Sequence, residues 1–448
     1  MNQQDTFYNI LNSNIVSNEK DLKDFLRISS KYSTDLACLD TIGQIQSKIK
    51  DYENCISTLH RCIDTATTPQ QITAIRINLA KTYNLINDPQ KAIQQLLYIQ
   101  KVLQNNDSDI LMELSLSYYL SANYNKSKEI LESILEVENI PEKLKNRVEY
   151  NLATYRIAEG QFKKGLADYV YKGCAIGIWK TIEIDNIPMW DGTIRENSTL
   201  YIFGEGGIGD EIVCFRFAKY LKQIGITPVW ITTRPDLKDI FEQHGVDTLL
   251  DKSKITKTKN SYRCNSMMLP VLLDLDETQV WFGSYLKPSD EYLTKWEELL
   301  PQGKKLACKW EGSPYYEQQL HRSIPFEYID HLQFDGTKIN LQLEPSNAKS
   351  NMFNAGQYIN HINDTLAILY LCDLTVTSCT SIVHIAGAMD CSTIVCPPVA
   401  AYYVWINCKN NKSYWYSDKV KVFQQQQHKN WENVFTQVQQ EIINEQFI

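Results

Sequence analysis

TLYIFGEGGIGDEIVCFRFAKYLKQIG, residues 199 to 225, is the stretch whose reading decides the fold class. TLYIF is a short apolar run that stops at Gly204, as a buried strand does. Gly206, Gly207 and Gly209 follow and let the backbone turn tightly. Beyond them EIVCFRFAKYLKQIG is amphipathic at helical spacing, with Asp210 opening the helix. Strand, glycine turn and helix in that order begin a parallel α/β unit.

The pattern continues toward the C-terminus. PVWITTR (228–234) is a second apolar run, FEQHG (241–245) ends a helix, and VDTLL (246–250) follows, giving β–α–β–α–β. A second series starts at KKLACKW (304–310) and runs through KINLQLE (338–344), DLTVTS (373–378) and STIVCPP (392–398), with helical segments between. Two open α/β halves in tandem imply a cleft at the carboxyl ends of their strands. KNWENVFTQVQQEII (429–443) is amphipathic and reads as a closing helix.

Toward the N-terminus the chain changes character. Gly43 alone of the 18 glycines precedes residue 150, and all 9 tryptophans come later, from Trp179 onward. Nearly glycine-free sequence with apolar residues three and four apart is helical. It also repeats. Cys55, Ala92, Ser127 and Gly165 are small anchors, each with a large residue four further on: Leu59, Leu96, Leu131 and Tyr169. Tyr52, Pro89, Tyr124 and Phe162 stand three before them. A small residue where two helices cross, flanked by bulky plugs, is what a stacked helix–turn–helix repeat needs. The pattern resembles tetratricopeptide repeats in a degenerate, irregularly spaced form, which implies a curved solenoid with a concave surface. An irregular helical bundle is the alternative.

Bulk properties narrow the classes. At 448 residues the prior is about three folding units. A hydrophobic content of 43% with 22% charged residues is ordinary globular composition, so collagen-like and disordered chains are excluded. No apolar run is long enough to span a bilayer, and mean hydropathy is −0.34. The first thirty residues carry neither a basic n-region nor an apolar h-region, so the expectation is a cytoplasmic protein with no signal peptide. A net charge of −8 argues against non-specific coating of nucleic acid, which needs a basic footprint. DKSKITKTKNSYR (251–263), with Lys252, Lys254, Lys257, Lys259 and Arg263, is the local exception and reads as a solvated loop. The 12 cysteines are scattered with no CxxC, as buried thiols in a reducing compartment would be.

Three clusters at strand–helix junctions could carry chemistry. In GEGGIGDEIVCFRF (204–217) no Gly-Lys-Ser/Thr follows, so this is not a P-loop. Asp210 there is either a helix cap or a general base facing the cleft. CKWEGSPYYEQQLHRSIP (308–325) crosses a polar loop holding Lys309, His321 and Arg322, cations able to neutralise a diphosphate leaving group or simply exposed loop charges. TVTSCTSIVHIAGAM (375–389) runs from a strand through Ser378, Thr380 and Ser381 into a helix whose start is a ready anion site or an ordinary cap, with His384 on its first turn. Asp274 and Asp276 superficially suggest a metal pair but read as a turn.

Together these clusters resemble the motifs of bacterial proteins that fuse tetratricopeptide repeats to a heptosyltransferase-like domain, the class of glycosyltransferase family nine. In order they are EGQFKKGLADY (159–169), PMWDG (188–192), GEGGIGDEIVCFRF, KWEGSP (309–314) with HRSIP (321–325), INLQLE (339–344) and CDLTVTSCTSIVHIAGAM (372–389). The resemblance runs from about residue 159 to about 420. It implies a GT-B-type pair of Rossmann-like α/β domains behind a helical solenoid. The corresponding division is helical repeats over 1–175, an N-terminal acceptor-side half over 176–300, a C-terminal donor-binding half over 301–425, and a closing helix over 426–448.

Residue by residue, the resemblance implies that Asp210 is the catalytic base and that Arg322 meets the donor phosphates. It places Thr380, Ser381 and His384 on the loop and helix start that cradle the diphosphate. Gly207, Gly209 and Lys309 join the donor site, and Glu344 is matched loosely to the residue that holds the donor nucleoside. It implies an inverting, metal-independent transfer with a nucleoside-diphosphate sugar as co-substrate and no other cofactor. Cys379 departs from the pattern, because relatives carry an aspartate before the Thr or Ser, and a thiol does not accept hydrogen bonds as a carboxylate does. The expected acceptor is a protein, peptide or glycan selected by the repeats, with a nucleobase in DNA less favoured. The competing reading, which Cys379 favours, is a repeat scaffold whose transferase domain has lost its chemistry. A dinucleotide-dependent oxidoreductase fits poorly, because no acidic residue closes PVWITTR to hold a ribose.

Overall fold

The structure, a computed structural model, describes residues 26, 36–179, 182–184, 186–313, 319–344, 349, 351–406, 408 and 410–446. The chain forms two compact units that divide between Val137 and Glu138. Among the described residues of the first unit six helices are paired: α1 (Leu36–Lys48) with α2 (Tyr52–Thr65), α3 (Pro69–Leu85) with α4 (Pro89–Val102), and α5 (Ser108–Leu120) with α6 (Tyr124–Leu135). A fourth pair, α7 (Glu142–Ala158) and α8 (Phe162–Ala175), opens the second unit.

The four hairpins share one design. Each is closed by a three-residue turn whose middle residue is left-handed: Lys50, Asn87, Ala122 and Gly160. The residue after it returns its N–H to a carbonyl five back, as in Asp88 to Tyr83 (2.8 Å) and Gln161 to Arg156 (2.8 Å), which satisfies the helix end. Tyr52, Pro89, Tyr124 and Phe162 each begin the second helix. The anchors sit where the two helices touch. The Cys55 thiol donates to the Gly43 carbonyl at 3.2 Å, and the Ser127 hydroxyl to the Ser115 carbonyl at 2.7 Å. A Cβ on Gly165 would lie 2.9 Å from the Ala153 carbonyl. Ala80 and Ala92 hold the equivalent places and are fully buried. Anything larger would force the helices apart, so a small anchor is a steric requirement.

After α8 the period changes as expected. A four-stranded parallel sheet is ordered β3-β2-β1-β4, from β1 (Ser198–Phe203), β2 (Ile226–Ile231), β3 (Asp247–Leu249) and β4 (Ser261–Asn265). Helix α9 (Ile208–Gln223) joins β1 to β2, and α10 (Pro235–Gln243) joins β2 to β3. After α11 (Asp290–Leu299), a six-stranded sheet runs β10-β9-β8-β5-β6-β7. Its strands are β5 (Lys305–Lys309), β6 (Thr337–Asn340), β7 (Phe353–Asn354), β8 (Leu374–Ser378), β9 (Thr393–Cys396) and β10 (Val420–Val422), and every pairing is parallel. Helices α12 (Ile362–Leu371) and α13 (Ser381–Ala388) flank β8. The closing helix α14 (Glu432–Gln446) buries Val434, Phe435, Val438 and Ile442 in a cluster with Val376 and Ile394. No helix among the described residues is long and apolar enough to cross a membrane.

The two halves of this unit are joined tightly. Helix α9 packs on α13, and α11 packs on α12 through a 2.8 Å bond from Trp296 Nε1 to Asp364 Oδ1. Arg216 of α9 is buried. Its guanidinium donates to the Val280 carbonyl (3.0 Å), the Tyr285 hydroxyl (3.2 Å) and the Trp415 carbonyl, with the ring of Tyr416 4.9 Å away. It therefore ties the first half to the connecting segment and to the second half. Carbonyl dipoles and ring faces replace the water that a buried cation gives up.

One stretch differs from the sequence reading. The end of DKSKITKTKNSYR is strand β4, and Arg263 in it is buried rather than solvated. It donates to the carbonyls of Ile187 (2.9 Å) and Ile182 (2.7 Å) and pairs with Glu183 at 2.7 Å. Lys252, Lys254, Lys257 and Lys259 are exposed. Asp274 pairs with Lys163 (2.9 Å), and Asp276 accepts from Thr278 in a turn.

Candidate active site

The site is built where the glycine loop of the first sheet meets the hydroxyl-rich loop of the second. Gly206 has φ +70°, a conformation costly for any residue with a Cβ, and a Cβ there would fall 2.5 Å from Asp210 Oδ2. With that space free, Asp210 folds back from the first turn of α9 and accepts the Gly207 N–H at 2.6 Å. The loop is braced from beneath by Glu211. Its buried carboxylate accepts from Trp230 Nε1 (3.0 Å), Thr232 Oγ1 (3.1 Å) and the Arg234 guanidinium, while Arg234 Nη2 donates to the Gly206 carbonyl at 2.8 Å. Arg234 closes PVWITTR just beyond β2, at the start of α10, and is a cation that holds the loop.

Across the seam, β8 runs through Cys379 into α13. Thr380 caps that helix, accepting from the Ile382 N–H at 3.3 Å with Thr377 Oγ1 3.2 Å away. Ser378 Oγ is buried beside this turn without a hydrogen-bond partner among the described residues. Gly209 is the contact point between the halves: a Cβ on it would lie 3.4 Å from Ser381 Cα and 2.6 Å from His384 Cδ2. Glycine therefore allows two helix N-termini, each with its partial positive charge, to meet at one place. His384 is buried, with Nδ1 2.7 Å from the Tyr416 hydroxyl and its ring stacked on Trp405. Burial and the nearby Arg216 bring its pKa down to about 3, so it contributes a neutral ring rather than a charge.

Arg322, from a short helical turn, donates to the Cys379 carbonyl at 3.1 Å and to Gln319 at 2.9 Å, and packs against Gly312. The structure thus brings Asp210, Gly207, Gly209, Thr380, Ser381, His384 and Arg322 to one seam. Lys309 and Glu344 lie at the ends of β5 and just beyond β6. Lys309 Nζ donates to the Leu341 carbonyl at 2.9 Å, and burial brings its pKa down to about 8 against the pull of Glu311 and Glu344. Glu344 is exposed. Residues 314–318 of the KWEGSP loop lie outside the described residues.

The chain matches no known family model, and no curated protein matches it by sequence. Among solved structures it is similar to a glycosyl transferase family 9 protein from Veillonella parvula DSM 2008. That likeness is 12% identical, spans 58% of this chain and 98% of the other, and has a TM-score of 0.38. It is also similar to full-length LpoA from Haemophilus influenzae in two crystal structures. Both are 10% identical over 87% of this chain and 74% of the other, with TM-scores of 0.21 and 0.22. Likeness at this level bears on neither activity nor substrate.

Sequence reasoning missed three residues that contact the candidate site. Tyr402, after β9, donates its hydroxyl to Asp210 Oδ1 from the far half. Trp405 donates Nε1–H to the Cys379 sulfur at 3.2 Å, and burial pushes that thiol up to about 11, so it stays protonated. Glu205 lies inside the glycine loop. It accepts from Asn265 Nδ2 (2.6 Å) and the Met267 N–H (3.3 Å), yet burial, aided by the charge of Asp210, pushes it up to about 7. Its place between Gly204 and Gly206 was a signal that could have been followed. Tyr402 and Trp405 carry no local signal at all. Asp210 is also raised, first by burial, against the bonds from Tyr402 and Gly207 and the charge of Arg234. Chemically, the seam offers a carboxylate with increased proton affinity opposite a helix start and a guanidinium suited to an anion.

Proposed function

We propose that this protein is a glycosyltransferase of GT-B type that moves a sugar from a nucleoside-diphosphate sugar to an acceptor hydroxyl, with inversion and without a metal. The observation that carries the reading is the meeting at Gly209 of a basic carboxylate from one half with the Thr380–Ser381 helix start of the other. Three of the stretches that resemble family nine, GEGGIGDEIVCFRF, HRSIP and CDLTVTSCTSIVHIAGAM, supply the residues that meet at this seam. Asp210 takes the proton of the acceptor hydroxyl as its oxygen attacks the anomeric carbon. The bond from that carbon to the diphosphate oxygen breaks on the opposite face. The charge that develops on the leaving diphosphate is met by Arg322, by the N–H groups at the start of α13 and by Lys309 further along the donor side, with Glu344 toward the donor nucleoside. Cys379 offers the donor sugar a thiol already engaged by Trp405, so the contact that relatives make with a carboxylate is replaced. The helical repeats select the acceptor, a protein, peptide or glycan.

The test is a thermal-shift screen of nucleoside diphosphates and their sugars, wild type beside Arg322→Ala. Binding to the native state raises the melting temperature by mass action, about 2.7 kcal/mol at one hundred times Kd. One nucleotide series should stabilise the wild type and lose its effect in the variant. If no nucleotide shifts either protein, the transferase reading falls and the binding-scaffold reading takes its place.

A further inference from the structure

Asp210 is held by both halves of the unit. Its Oδ2 takes the Gly207 N–H of its own loop, whereas its Oδ1 takes the hydroxyl of Tyr402, 192 residues away on the segment that leaves β9. We propose that Tyr402 is a positioning residue for this site: its phenol, carried by the C-terminal half, holds Oδ1 of Asp210 and completes the base only where the two halves meet. This inference rests on Asp210 being the base.

The packing around the phenol supports it. The Tyr402 ring meets Tyr403 edge-on at 4.4 Å and the His384 ring at 6.3 Å. Tyr403 in turn lies 5.3 Å from Tyr169 of α8, which stacks on Tyr150 of α7 at 5.0 Å. A ring gripped in this way has its hydroxyl direction set before any substrate arrives, which is the preorganisation that a base needs. The phenol also remains a donor, because burial and the charge of Asp210 raise its own pKa well above the ordinary value.

The consequence is electrostatic. A buried carboxylate has lost water, and a donor aimed at its ionised form restores part of that loss. Of the ionisable groups that face Asp210, Glu205 opposes its ionisation once it has itself lost its proton, and Arg234 favours it. The neutral titratable groups around it are Tyr402, Tyr403 and Tyr169, with the thiols of Cys214 and Cys379. Among the described residues Tyr402 is the one side chain bonded to Oδ1. Removing its hydroxyl leaves the desolvation of Asp210 less opposed, so the carboxyl holds its proton to higher pH.

Tyr402→Phe keeps the ring and removes only the donor. The experiment compares wild type, Tyr402→Phe, Asp210→Asn and the double variant by melting temperature between pH 4 and 9. The difference between each Asp210 protein and its Asp210→Asn partner titrates that carboxyl in the folded state. A carboxyl raised on folding loses stability as pH climbs from its unfolded to its folded pKa. That loss should extend about one pH unit higher in Tyr402→Phe, a tenfold change in proton affinity. An unmoved midpoint, or a downward move, overturns the proposal.

A second readout uses hydrolysis of the nucleotide sugar that the thermal screen selects. The acid limb of kcat should move up by the same amount while KM for the donor stays within about twofold, as expected when only the base is retuned. A raised KM with an unmoved pH profile also overturns it, because that is what a merely structural tyrosine would give. If no nucleotide shifts any of the four proteins, the transferase reading fails, and the melting midpoints alone decide the Tyr402–Asp210 coupling.

Discussion

Replacing Glu205 with glutamine should remove a pH-dependent weakness from the α/β unit. Glu205 has a pKa near 4.5 when exposed and is pushed up to about 7 in the folded chain, chiefly by burial. Between those values the folded protein keeps a proton that the unfolded chain has released. Stability therefore falls as pH rises through this window, by about 1.36 kcal/mol per pH unit. The span from 4.5 to about 7 is about 2.5 units, so the loss is about 3 kcal/mol in all and is complete above pH 7. Glutamine cannot titrate. It keeps an acceptor for Asn265 or for the Met267 N–H but not for both, which costs about 1 kcal/mol at every pH. The variant should accordingly start lower at pH 4.5 and lose less on the way to pH 8. The assay is thermal unfolding of both proteins every half unit from pH 4.5 to 8.5 at fixed ionic strength. For a unit of this size the gap should change by on the order of 5 °C across the window. Parallel curves, or a wild type that gains on the variant as pH rises, would refute the argument that burial dominates at Glu205.

Gly209→Ala tests the seam. Alanine is the better helix former by about 1 kcal/mol, but its methyl would meet the pinned His384 ring at 2.6 Å, and overpacking costs about 1–3 kcal/mol. The variant should melt lower than wild type and lose nucleotide binding; equal stability would show that the halves yield at this contact. His384 should show no imidazolium signal by NMR between pH 5 and 8, since its pKa is brought down to about 3. Titration near pH 6.5 would contradict the buried stack on Trp405 and the bond to Tyr416.

Much of the architecture was legible in the sequence because the signals are local. Steric need at a helix crossing restricts Cys55, Ala92, Ser127 and Gly165 to small residues, and the same four lie at the hairpin contacts. A short apolar run ending in glycine before an amphipathic stretch marks β1, its turn and α9, since each step has its own period. The short edge strands β7 and β10 were not legible, because two or three residues carry no period. Arg263 misled because a basic run looks solvated in one dimension. Only the carbonyls of Ile182 and Ile187, about eighty residues earlier in the chain, show what replaces the water around it.

At the site, Asp210, Gly207, Gly209, Thr380 and Ser381 could be chosen from sequence because strand–turn–helix junctions announce themselves within a dozen residues. What those groups do to one another could not. That Tyr402 reaches Asp210 follows from which surfaces the two halves bury together, whereas Trp405 meets the Cys379 sulfur within the second half and Glu205 is buried against Asn265 and Met267 within the first. Hydrogen bonding and desolvation act through space over a few ångströms, and no period in the chain encodes contacts between residues nearly two hundred positions apart. The helical hairpins, the two parallel α/β halves and the loops that form the candidate site were set by the sequence alone. The proton affinities and the donors that face each group were decided by the tertiary structure, because they depend on which groups have lost water and which partner stands in its place.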